Sequence, residues 1–133
     1  MSQEDRSVGW GALMLLVGVA FLLVAAELLP VPDDPANAPR AVLAMAGLVF
    51  AAGGVALILP PGSRARLAMV AILVSGFAVL GAWVALTGSA ETIEGGLFFL
   101  SRETNALLGR ILFGLGSLIS AVILIVVLRQ FRR

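Results

Sequence analysis

Four long apolar runs dominate the sequence and limit what the chain can fold into. They cover residues 8–29, 41–59, 67–86 and 107–128, and only Glu27 and Arg110 bring an ionisable side chain into any of them. A helix needs about 20 apolar residues to cross a hydrocarbon core about 30 Å thick. Backbone polar groups must be satisfied internally in hydrocarbon, so such runs cross it as helices. The sequence predicts an all-α integral membrane protein with four transmembrane helices.

The composition leaves no room for a separate soluble domain. Hydrophobic residues make up 60% of the 133 residues and charged residues 13%. Ordinary soluble domains have about 45–50% and about 25% of these two classes. We therefore expect residues 1–133 to form a single four-helix transmembrane domain.

Several residue types that carry chemistry are missing from the sequence. It has no His, Cys or Tyr, and all nine of its basic residues are Arg. Imidazole ligands, thiolate nucleophiles and Schiff-base lysines are thereby excluded. We expect no enzymatic activity, no catalytic or metal-binding residue and no intrinsic cofactor. Whether a lipid, or a pigment brought by a partner, occupies grooves between the helices is left open by the sequence.

The arginines predict the orientation of the helices. Positively charged residues concentrate in the cytoplasmic segments of membrane proteins. With four spans, six of the nine basic residues lie on the side of both termini, which we expect to be cytoplasmic, so that the helices form two antiparallel hairpins. Those six are Arg6, Arg64, Arg66, Arg129, Arg132 and Arg133. Arginine without lysine, together with abundant Ala and Gly, is typical of a GC-rich bacterial genome and indicates a bacterial inner membrane.

Two segments outside the spans are candidates for contacts. The basic C-terminal residues Arg129, Arg132 and Arg133 suit anionic lipid headgroups, and nothing in the sequence favours nucleic-acid binding. The outer loop, residues 87–106, carries an apolar stretch centred on Phe98 and Phe99. Four consecutive apolar residues are costly in water, so we expect a short interfacial segment there, or a contact with a partner.

Small residues at helical spacing predict how the helices pack. In lipid, close backbone approach through small side chains drives helix association. We call the face of a helix that carries these small residues its seam. We expect the seams of helices 2 and 3 to face each other, and those of helices 1 and 4 to dock on this pair or on another protein. The predicted packing residues are Gly11, Gly18, Ala44, Gly47, Ala51, Gly54, Ala71, Ser75, Ala78, Ala82, Gly109 and Gly116.

The two ionisable residues inside the runs are a candidate pair. At a rise of about 1.5 Å per residue, Glu27 and Arg110 reach a similar depth near the outer interface from opposite directions. An ion pair between helices 1 and 4 is therefore possible. The structural interpretation is a clamp or two snorkelling side chains. The functional one makes Glu27 a proton or cation site, which its distance from the midplane disfavours.

Two function classes follow from these observations. The first is a non-catalytic accessory subunit of a larger bacterial membrane complex, with other integral membrane subunits as partners. The second is a small four-helix transporter, or a subunit of one, with Glu27 as an ion-coupling residue. Size and helix count are similar to those of small multidrug resistance exporters, which act as dimers around a first-helix Glu. In this sequence Glu27 stands instead at the helix end, without aromatic neighbours.

A second resemblance covers about twenty residues. The run Ala38-Pro39-Arg40-Ala41, leading into a Gly-rich second helix, resembles the small four-helix subunit of tripartite tricarboxylate transporters. The long third connection of this chain departs from that pattern. Neither resemblance assigns the chain to a family.

Overall fold

Four helices account for nearly all of the described chain. The computed structural model describes residues 3–30, 40–88 and 101–132. Helix α1 covers Gln3–Ala25, α2 Arg40–Ile58, α3 Arg64–Thr87 and α4 Arg102–Phe131. Each is long and apolar enough to cross a membrane. The prediction of an all-helical chain with four such helices is confirmed.

The end of α1 differs from the predicted boundary for a local backbone reason. Glu27 has a φ of +61°, in the left-handed region. The N–H of Glu27 donates to the Val24 carbonyl (3.0 Å), and the N–H of Leu28 reaches back to the Leu23 carbonyl (2.9 Å). These two bonds form a Schellman motif, which usually has Gly where Glu27 stands. The helix therefore ends at Ala25, and Glu27 lies beyond it rather than within a span.

The connection between α2 and α3 is a short turn with a well-formed cap. Pro60 and Pro61 follow α2, and the turn ends with Gly62 at a φ of +80°. Proline cannot continue the helical hydrogen-bond ladder, which explains why α2 ends at Ile58. Ser63 then caps α3, because its side chain accepts a hydrogen bond from the N–H of Arg66 (3.1 Å).

Helix α4 begins five residues before the apolar run that predicted it. The Ser101 side chain accepts a hydrogen bond from the N–H of Thr104 (3.2 Å). The negative charge of Glu103 in the first turn interacts favourably with the positive end of the helix dipole. Residues 102–106, assigned from sequence to the outer loop, are therefore helical. At about 1.5 Å per residue the 30 residues of α4 span roughly 45 Å, more than one hydrocarbon thickness.

The helices pack in chain order. Helix α1 lies against α2, α2 against α3, and α3 against α4; within the described residues no other pair of helices comes into close backbone contact. Helix α2 has neighbours on two sides and holds more of the buried residues than any other helix: Gly47, Val49, Ala52, Gly53, Gly54 and Ala56. The core is therefore a thin layer of small side chains, and α4 leaves most of its surface uncovered.

Candidate interaction surfaces and charged positions

The contact between α1 and α2 is built on two pairs of glycines. A Cβ placed on Gly11 would lie 2.8 Å from the carbonyl oxygen of Gly54, and one on Gly18 would lie 2.7 Å from that of Gly47. Real Cβ atoms do not come this close to backbone, so the two helices touch backbone to backbone. The pairs are seven residues apart on both helices and in opposite order along the chain. A heptad repeat of contacts is typical of left-handed crossing.

This geometry corrects the predicted partner of the α2 seam. Gly47, Ala51 and Gly54 were expected to face α3, and they face α1 instead. The α2–α3 contact uses a different face of α2, where Val49 lies directly against Gly76. The backbone-to-backbone contact goes to α1 because Gly11 and Gly18 offer facing glycines at the same seven-residue spacing.

The α3 seam is also directed at a different helix from the predicted one. The Ser117 hydroxyl of α4 donates to the carbonyl oxygen of Ala78 (2.6 Å), and a Cβ on Gly81 would lie 2.8 Å from the carbonyl oxygen of Phe113. The Ser117 hydroxyl therefore bonds across to α3 and not within its own helix. Position 78 was expected to face α2, and it contacts α4. At Ala78, therefore, the seam faces α4.

Five of the six remaining predicted packing residues form two groups. Ala71 and Ser75 line an open, largely apolar groove of about 350 Å³ between α2, α3 and α4, with Gly76 beside them. Ala44, Ala82 and Gly109 are half-buried.

Gly116 has an environment of its own. It is exposed, and a Cβ placed on it would meet no atom within 4 Å. Gly114, in contrast, faces α3, since its Cβ would lie 3.5 Å from the Ala85 Cβ. The small residue predicted to pack is therefore on the uncovered face of α4.

Three glycines that sequence reasoning missed form close contacts. These are Gly53, Gly76 and Gly81. Gly76 and Gly81 are the only glycines inside α3. A glycine in a helix interior is about 1 kcal/mol less favourable than alanine in water, so an isolated one often has a packing reason. The two isolated glycines of α3 were therefore a sign of close packing that the sequence already contained.

The structure does not bring Glu27 and Arg110 together. The Glu27 carboxylate pairs with Arg40, the first residue of α2, and the two side chains are 59% and 71% exposed respectively. The Nε–H of Arg110 donates to the carbonyl oxygen of Ala85 near the end of α3 (2.8 Å). The reason is the packing order: α1 and α4 are separated by α2 and α3.

These two contacts describe what the charged positions can do. The Glu27–Arg40 pair joins the end of α1 to the start of α2 across the intervening connection, and the Arg110 bond fastens α4 to the end of α3. Within the described residues no side chain of an ionisable residue is buried, and no three acidic residues form a group that could hold a metal ion. Both contacts therefore fasten helix ends to one another.

Some predicted contact residues lie outside the described residues. These are Phe98 and Phe99 in the outer segment and Arg133 at the C-terminus. Arg129 and Arg132 are described and exposed, and Arg129 lies in the last turn of α4, where a cation is favoured by the helix dipole.

Comparisons with known proteins add no relative. No family model, no curated protein and no solved structure matches the chain.

Proposed function

We propose that this protein is a non-catalytic accessory subunit of a larger membrane complex in a bacterial inner membrane. Its four helices form two antiparallel hairpins with both termini cytoplasmic, and its partners are other integral membrane subunits. The order of the interhelical contacts supports the hairpins, and the arginine distribution supports the orientation.

The observation that carries this proposal is the uncovered glycine on α4. Gly116 is exposed on a 30-residue helix that, among the described helices, contacts only α3, and large apolar side chains such as Leu112 and Leu118 are exposed on the same helix. Lipid can cover Leu as well as a partner helix does. A bare glycine, however, lets another backbone approach closely, which is how membrane helices gain contact energy. A partner helix therefore uses the Gly116 side of α4.

The surroundings of Glu27 support this function over ion-coupled transport. Coupling carboxylates in membrane proteins lie within the bilayer, facing the interior of the bundle or a water-filled cavity. Glu27 lies beyond the end of α1, is more than half exposed, and is paired with Arg40. Its charge joins the end of α1 to the first residue of α2 through the pair with Arg40.

The experiment is a substitution that changes the proposed interface and leaves the fold alone. Gly116→Leu puts a bulky side chain where the chain itself has open space. We expect the purified variant to keep the wild-type melting temperature in detergent, while the native complex loses this subunit when extracted from membranes. Retention of the variant in the complex at wild-type level would contradict the proposed interface.

The outer segment is the second proposed contact. Replacing Phe98 and Phe99 with Ser removes the aromatic side chains from this loop. We expect either weaker retention of the partner or weaker docking at the membrane interface, because burial of two aromatic rings is lost. Unchanged partner retention together with unchanged membrane association would count against this role.

A further inference from the structure

A basic pocket lies between the start of α3 and the end of α4. Ser63, Arg64 and Arg66 line it from the first turn of α3, and Gln130 lines it from the last turn of α4. The pocket is open and has a volume of about 440 Å³, and none of the described residues that line it is acidic. Among these residues, nothing neutralises the two guanidinium groups.

An apolar groove of about 310 Å³ adjoins this pocket. Met14 of α1, Gly53 and Leu57 of α2, and Leu73 of α3 form its walls. Arg66 and Val70 line both spaces, so the pocket and the groove share one turn of α3. Arg66 is half-buried, and a long arginine stem can cover apolar surface while its charged end stays at the polar side.

The combined shape has one charged end and one apolar arm. Guanidinium groups bind phosphate oxygens through paired, charge-assisted hydrogen bonds, and the N-terminus of α3 adds positive potential at the same place. The groove extends from Arg66 toward the middle of α2 and α3 and offers only hydrocarbon contact. We propose that this pocket and groove together bind one anionic phospholipid, with its phosphate at Arg64 and Arg66 and one acyl chain in the groove.

Charge complementarity and the apolar arm select this occupant. A free phosphate ion would leave the groove empty, and the ammonium group of a zwitterionic lipid would bring a third positive charge to a pocket that already holds two. The site is separate from the exposed C-terminal residues Arg129 and Arg132, neither of which lines the pocket. The proposal depends on the helices crossing a membrane and does not depend on the accessory role.

The test uses the full chain, purified in detergent and stripped of lipid. Native mass spectrometry would follow titration with phosphatidylglycerol and with phosphatidylcholine of the same acyl chains. We expect one phosphatidylglycerol to bind in preference, and the double variant Arg64→Gln, Arg66→Gln to weaken it at least about tenfold. The matched control, Arg6→Gln with Arg102→Gln, removes two charges from exposed positions that do not line the pocket and should change binding less than about threefold.

Two further measurements test the site. Arg66→Lys keeps the charge and the fold but loses paired hydrogen bonding, so it should bind phosphatidylglycerol more weakly than wild type. Inorganic phosphate should not displace the lipid, because it cannot fill the groove. Equal weakening by the two double variants, no preference for phosphatidylglycerol, unweakened binding in Arg66→Lys, or displacement by inorganic phosphate would each overturn the site.

Discussion

Gly18 and Gly47 are in direct backbone contact across α1 and α2. A Cβ on Gly18 would lie 2.7 Å from the Gly47 carbonyl oxygen, and one on Gly47 would lie 2.9 Å from the Gly18 carbonyl oxygen. The relationship is reciprocal, so neither position accepts a side chain without moving a helix. Seven residues along each helix, Gly11 and Gly54 repeat it. These pairs make α1 and α2 the most closely joined helices of the chain.

The first prediction tests this contact with a single methyl group. Gly18→Ala places a Cβ 2.5 Å from the backbone nitrogen of Ala51, so the helices must separate. We expect a loss of about 1–3 kcal/mol in unfolding free energy, the usual cost of overpacking. Unfolding in mixed detergent micelles measures it. Gly116→Ala is the control, since nothing lies within 4 Å of its Cβ. An equal loss of unfolding free energy in this control would contradict a special role for the glycine pairs.

The second prediction concerns the hydrogen bond between α3 and α4. Ser117→Ala removes the hydroxyl that donates to the Ala78 carbonyl. Interhelical hydrogen bonds in membrane proteins contribute about 0.6 kcal/mol on average, so we expect a loss of that order in the same unfolding assay. Ser120→Ala is the matched control, because Ser120 forms no hydrogen bond with its side chain among the described residues. Equal effects of the two changes would contradict a role for the bond.

The third prediction separates the charge of Glu27 from its backbone conformation. Glu27→Gln removes the charge opposite Arg40 and should cost less than about 1 kcal/mol, because exposed ion pairs contribute little. Glu27→Gly also relieves the left-handed conformation, which costs other residues roughly 1–2 kcal/mol, so it should be more stable than Glu27→Gln. Both are measured as unfolding free energies. Loss of a coupled ion flux in Glu27→Gln, with the protein still assembled, would instead support the transporter hypothesis.

The fourth prediction concerns orientation. A fluorescent reporter that folds only in the cytoplasm should be active when fused after Arg133, and a phosphatase that folds only in the periplasm should be active when inserted between residues 89 and 100. The reason is the concentration of arginines beside the termini and in the α2–α3 turn. The opposite pattern of activity would reverse the topology.

Hydrophobicity alone was enough to predict the number and approximate position of the helices. Their ends were less predictable, because they depend on local hydrogen bonds: the Schellman motif at Glu27 ends α1 early, and the Ser101 cap starts α4 early. Ser101 followed by Glu103 in the first turn is a helix-start signal that can be read from the sequence, although hydrophobicity alone does not contain it.

Helix partners were the least predictable part of the site. Gly47 and Gly54 were correctly chosen as packing residues, but a single sequence does not state which neighbour lies on a small-residue face. Helix α2 has two neighbours, and its two faces differ by only two residues in register, as Gly47 facing α1 and Val49 facing α3 show. The same limit explains the expected Glu27–Arg110 pair: equal depth in the membrane does not make α1 and α4 adjacent.

The most direct test of the accessory role is the size of the particle that contains this chain in its own membrane. Extraction in a mild detergent, native gel separation and mass spectrometry of the co-migrating proteins would measure it. We expect a large, reproducible assembly with other membrane subunits, from which the Gly116→Leu variant is lost while it still folds. Migration of the wild-type chain alone, or only with copies of itself, would contradict the accessory role.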